Sequence, residues 1–333
     1  MKNEMQKNII LITLTIFLFF SCKVNDKNNA QEIKRIFKTD YEHSLISRGN
    51  NFNDFNPYKD SLDYFLICLH HNIPIQEIID NTSFTDEKIA NIEKILLKKN
   101  WLKIENDCPK PTIFIADEKD GNYLYEKSFP IAQQITSKII DFLPKIKKDF
   151  SKLELAKNDT FEKWSFLILS NVLLDSWQID NVESEFLKAP VRPLRNNKNY
   201  YYSIMVSNSK TESFGIFGNQ DEEVDKKLMN IYGNNRTHDI SKQQQNYINK
   251  SDNEKLVNLA NEFKPILINI LNEQKKYIRD IYIESKYSEK ISFEEFFIWW
   301  YHFIYTDVTN KLSKKGYLTV PEDGNFYYEI ENE

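Results

Sequence analysis

Glycine and proline are scarce in this chain, 7 and 10 of 333 residues, and that leaves too few turn and breaker positions for a many-stranded sandwich or barrel. Cysteine is scarcer, with three, so no disulfide framework can form. Positive charge is not in excess. The formal charge is −5 overall, and because residues 1–21 hold Lys2 and Lys7 against Glu4, it is −6 from Cys22 onward. Nucleic acid is therefore not an expected partner, since neutralising phosphates is what drives such binding. The sequence contains no zinc signature, P-loop, G-x-S-x-G elbow or dinucleotide fingerprint, so no metal and no cofactor is expected.

Long apolar runs are missing with one exception. Ile9 to Phe20 is an apolar stretch broken only by Thr13 and Thr15, preceded by Lys2 and Lys7 and followed by Ser21 and Cys22. As a helix at ~1.5 Å per residue it reaches roughly 18 Å, short of the ~30 Å a spanning helix must cross. It reads as an export signal. The tetrapeptide Phe19-Phe20-Ser21-Cys22 resembles the lipobox of bacterial lipoproteins. That resemblance implies cleavage before Cys22, fatty acids on its sulfur, and a membrane-anchored extracytoplasmic protein of the cell envelope. An ordinary cleaved signal is the plainer alternative. Export would let Cys68 and Cys108 pair; two small buried thiols is the other reading.

Abundant Lys, Glu, Ile and Leu in long stretches predict a mainly α fold. After the signal at 1–21, residues 22–59 read as a tether and an irregular segment, polar over 23–35 and without a clean period over 36–60. Over 60–120 the pattern sharpens. Leu62, Phe65, Ile67, Cys68 and Leu69 line a first helix, Ile75, Ile78 and Ile79 a second, and Ile89, Ile92 and Leu96 a third capped by Thr85. Two short strands follow, in WLKIEN and in the segment from Cys108. The passage IPIQEIIDNTSFTDEKIANIEKILLKKNWLKI is similar to the helix-turn-helix and wing of bacterial winged-helix regulators, over about residues 60–118. The resemblance implies a winged-helix-like module. Its third helix carries Asp86, Glu87 and Glu93 among Lys88, Lys94, Lys98 and Lys99 and no arginine, unlike a DNA-reading face.

Residues 121–333 read as an α-rich domain with one hairpin. A helix over 125–155 is punctuated by Pro130 and Pro144, and FEKWSFLILSNVLLDSWQID at 161–180 reads as its central buried helix. Tyr202, Ile204 and Val206 alternate on a strand near 200–218, with a turn at Asn208 to Thr211 and a return through Phe214, Ile216 and Phe217. Residues 233–253 read as a polar loop. A helix from Glu254 toward Tyr282 is expected to bend at Pro265. A last helix starts at Ser292 in a capping box with Glu295 and stops at Gly316.

Three constellations could carry chemistry. Glu295, His302 and Thr306 share one face of the last helix, and packing of the 161–180 helix against it would bring Asp175 to His302 as a carboxylate–imidazole pair. Against this, a lone histidine among Trp299, Trp300 and Tyr305 is more often packed core than catalyst. His70-His71 makes a poor metal pair, because adjacent helical residues point about 100° apart; a dipole contact at the helix end suffices for it. Tyr200, Tyr201 and Tyr202 with Phe214 suggest an aromatic face for a glycan or an envelope protein, packing onto the core being the alternative. Taken together, these features point to a lipid-anchored, non-catalytic binding or interaction component of the envelope, attached to the membrane through Cys22. A hydrolase using His302, Asp175 and Glu295, and a DNA-binding regulator whose N-terminus is no signal, remain as rivals.

Overall fold

Two neighbouring strands separate the two large hydrophobic cores of the described residues, and Met229, Ile231 and Tyr327 form a third, small cluster. The structure, a computed structural model, describes residues 29–207, 215–224, 227–235 and 246–331. It is mainly helical. The chain runs through helix α1 (Asn29–Ile36), strand β1 (Tyr41–Ile46), helices α2 (Leu62–His70), α3 (Ile75–Asn81) and α4 (Asp86–Lys98), then strands β2 (Leu102–Glu105), β3 (Cys108–Pro111) and β4 (Phe114–Ala116). The long α5 (Glu118–Phe150) leads to α6 (Phe161–Phe166), which continues as a π-helical stretch over Leu167–Val172, and to the single turn α7 (Ile179–Asn181). Strands β5 (Leu194–Arg195), β6 (Lys198–Asn199), β7 (Tyr201–Val206), β8 (Gly218–Val224), β9 (Lys227–Gly233) and β10 (Asn246–Ile248) precede α8 (Lys250–Glu273), α9 (Lys275–Glu284), α10 (Phe293–Lys314) and β11 (Asn325–Ile330).

Strand β7 lies between β1, antiparallel to it, and β4, parallel to it. Successive side chains of a strand point to opposite faces. Accordingly Tyr202 and Ile204, with Ile113 and Ile115, join a smaller core with α1 to α4, whereas Tyr201 and Met205, with Phe114 and Ala116, join a larger one built on α5, α6, α8 and α10. The expected hairpin at 200–218 does not form, because β1 and β4 occupy both edges of β7. Ile216 and Phe217 are buried outside any strand, and β8 pairs with β9. Asn208 to Thr211 and Phe214 lie outside the described residues.

The three expected helices and two strands of 60–120 are present in that order, and Thr85 caps α4 by accepting from the Lys88 amide. The smaller core also recruits Ile33 and Ile36 of α1 and residues of β7. Residues 29–36 are thus helical, and a strand occupies 41–46, where a tether and an irregular segment were expected. Cys68 is a free, buried thiol, so Cys68 and Cys108 are not paired.

Four further corrections follow from local chemistry. Helix α5 runs unbroken through Pro130 and Pro144, starting at a capping box of Asp117 and Asp120. The 161–180 segment is buried as expected, but its helical run ends at Leu174. The single helix expected toward Tyr282 is interrupted at Gln274, where α9 follows α8, and Pro265 lies inside α8. Strands β9, β10 and β11 were not foreseen; β11 approaches β9 so closely that a Cβ on Gly233 would sit 2.0 Å from Asn325 Oδ1. Ser292 caps α10 through the Glu295 amide, and Gly316 ends it at φ +74 in a Schellman turn, with the Tyr317 amide on the Leu312 carbonyl.

Candidate functional site

The residues singled out in the sequence make framework contacts among the described residues. His302 Nδ1 donates to the Ile298 carbonyl at 2.8 Å, one turn back on α10, and its ring lies between Trp299 and Tyr305. Glu295 does not close the capping box. Its carboxylate turns to Arg195 (3.0 Å) and accepts from the Tyr202 amide (3.1 Å), so the structure brings Glu295 and Tyr202 together. Asp175 accepts from the Asn219 amide at 3.1 Å, and Thr306 from that of Phe217. His302→Gln is expected to cost about 1–3 kcal/mol, as for a disturbed buried polar group. Urea unfolding checks it, and unchanged stability would show that the ring is not part of the framework.

The aromatic face is corrected by burial. Tyr200, Tyr201 and Tyr202 are 1%, 0% and 4% exposed, and the rings fill the two cores. The Tyr200 hydroxyl accepts from Trp101 Nε1, and that of Tyr202 lies 3.0 Å from His43 Nδ1. They offer no stacking surface. Phe214 and Cys22 lie outside the described residues.

A different polar cluster forms where α1, the end of α2 and the start of α5 converge. Glu32 and Arg35, three apart, share one face of α1. His70 ends α2 and His71 follows it; Asp117 and Asp120 cap α5. Arg35 Nη2 donates to Glu32 Oε1 at 2.7 Å and to Asp117 Oδ2 at 2.9 Å. The same two oxygens face His71, at 3.4 Å from Nδ1 and 3.5 Å from Nε2. The adjacent histidines do point apart, as helical geometry requires, but to different carboxylates: His70 Nε2 is 3.0 Å from Asp120, which also pairs with Lys286 at 2.8 Å. Lys290 donates to the His70 carbonyl.

Burial governs the protonation of this cluster. It pushes His71 down to about 4 and His70 well below the ordinary histidine value, with Lys286 repelling charge on both. It pushes Lys290 down to about 7. The Arg35 hydrogen bond holds the Glu32 carboxyl below its usual value. Such a concentration of shifted groups marks a functional candidate. Glu32, His71 and Asp117 each offer a ligand atom, all within 4.8 Å of one another. The sequence signals were weak: Asp117-x-x-Asp120 before a helix, and a His-His at a helix end. Glu32 and Arg35 sat unnoticed in the polar stretch 23–35. Comparison with known protein families, with curated proteins and with solved structures finds no match to this chain.

Proposed function

We propose that the chain is a lipid-anchored, extracytoplasmic binding or interaction component of a bacterial cell envelope, held to the membrane through fatty acids on Cys22. The observation that carries this reading is the lipobox-like Phe19-Phe20-Ser21-Cys22 closing an apolar run behind Lys2 and Lys7. In the sequence, residues 23–28 lie between Cys22 and α1. Among the described residues no helix is long and apolar enough to cross a membrane. Support for binding over hydrolysis comes from the engagement of the catalytic candidates: the His302 imidazole proton serves its own helix, and Glu295 serves Arg195 and a strand amide. Helices α2 to α4 with the β2–β3 hairpin are read as a winged-helix-like module. Its mixed-charge third helix suits a scaffold or a protein-binding surface, with an envelope protein or a glycan as partner and no nucleic acid.

Fatty-acid labelling and membrane fractionation test the anchor. The wild-type chain is expected in the membrane fraction with incorporated label, because two or more acyl chains anchor stably. Cys22→Ala is expected to release the protein or leave an uncleaved precursor. An unlabelled wild-type protein that stays soluble in the cytoplasm would overturn the reading and revive the DNA-binding regulator.

A further inference from the structure

We propose that Glu32, His71 and Asp117 form a binding site for a zinc-class divalent cation, which takes the position held by the Arg35 guanidinium nitrogen. Arg35 Nη2 already occupies a cation's place, 2.7 and 2.9 Å from the two carboxylate oxygens that face the imidazole. The 3.4 and 3.5 Å separations involve opposite nitrogens of the ring, Nδ1 toward Glu32 and Nε2 toward Asp117, of which a metal takes one. The three ligand atoms, one per residue, lie within 4.8 Å of one another and would draw together to the roughly 3.4 Å edge of a tetrahedron.

Charge favours the exchange. Two carboxylates meet one guanidinium, which cancels half of their charge; a divalent cation cancels all of it. Leaving costs Arg35 its hydrogen bonds from Nε and Nη2 to Glu32 and from Nη2 to Asp117, which water can replace because its side chain is 39% exposed while that of Asp117 is 7% exposed. The guanidinium is thus the solvent side of the cluster, and the ligands are its floor.

One buried atom of the cluster, His71 Nε2, has no hydrogen-bond partner among the described residues. Orphaned buried polar atoms call for an ion or a water that satisfies them. An imidazole nitrogen with two carboxylate oxygens, leaving a fourth position for water, uses donor types that zinc takes; calcium asks for six to eight oxygens and no nitrogen.

The test is calorimetric titration of Zn2+ into the tag-free full chain in detergent. One Zn2+ per chain is expected. Arg35→Gln, which removes the competing cation, is expected to bind at least ~10-fold more tightly, the ratio that 1.4 kcal/mol provides. Glu32→Gln and His71→Gln are expected to weaken binding by more than about 10-fold. Should His71→Gln fail to fold, Co2+ reports on the unaltered site, with a visible absorption of tetrahedral type that Zn2+ abolishes. The proposal is overturned by any of four results: no saturable binding in either the wild type or Arg35→Gln, weaker binding in Arg35→Gln, undiminished binding in folded His71→Gln, or preference for Ca2+.

Discussion

Glu295→Ala is expected to destabilise the fold by about 3–5 kcal/mol, the cost of removing one partner from a buried ion pair. Glu295 and Arg195 are both buried and 3.0 Å apart. Arg195 also donates to the carbonyls of Tyr200 (2.9 Å) and Thr112 (2.7 Å), and Glu295 accepts from the Tyr202 amide. The pair therefore ties α10 to β7 and to the chain entering β4, the strands that separate the two cores. Alanine would leave a guanidinium uncompensated and a strand amide unsatisfied in one place. Urea denaturation reads the loss as a lower midpoint with an unchanged slope. Arg195→Met with Glu295→Leu is expected to recover much of it, because paired apolar replacements remove both charges together. A loss below ~1 kcal/mol in Glu295→Ala would mean that water reaches Arg195.

The elements legible in the sequence were those whose signals are local. The Thr85 cap, the Ile89–Ile92–Leu96 stripe and the Ser292 cap each depend on residues within a turn or two, and each is present. Elements that depend on distant partners were missed. Strand β1 reads as irregular because its residues are half-buried on both faces, and only pairing with β7, far along the chain, makes it a strand. The tyrosines at 200–202 looked like a hairpin face because alternation reveals two sides but not whether both are covered; here two cores cover them. The polar cluster was hidden for the same reason. Glu32, His71 and Asp117 come from three elements, and no spacing within one element encodes their meeting. His70 and His71 were rightly read as diverging, yet the carboxylates they diverge toward could not be seen.

Lys290→Met is expected to stabilise the protein by about 3 kcal/mol at pH 6 and to lose that advantage by pH 10.5. Lys290 is 3% exposed, donates to the His70 carbonyl, and has no carboxylate at ion-pair distance among the described residues. Burial, with help from Lys286 and Lys110, outweighs the pull of Asp120 and Glu289 and brings its ammonium down to about 7. The unfolded lysine keeps its ordinary value near 10.5 and so binds more protons than the folded one between these limits. Stability therefore rises with pH from about 7 to 10.5, and the full penalty is present below 7. At about 1.36 kcal/mol per unit the penalty approaches ~5 kcal/mol. Methionine avoids it but leaves the His70 carbonyl without its donor, a loss of roughly 1–2 kcal/mol. His71, lowered to about 4, adds a second slope of the same sign. Folded His71 stays neutral while its unfolded form takes up a proton below about 6.5, so stability falls as pH drops from 6.5 toward 4 in both chains alike. Urea midpoints of the two chains at pH 6 and pH 10.5 separate the two contributions. An equal difference at both pH values, or a less stable Lys290→Met at pH 6, would show that the lysine is solvated or paired in solution, and the cluster would then hold its charge without strain.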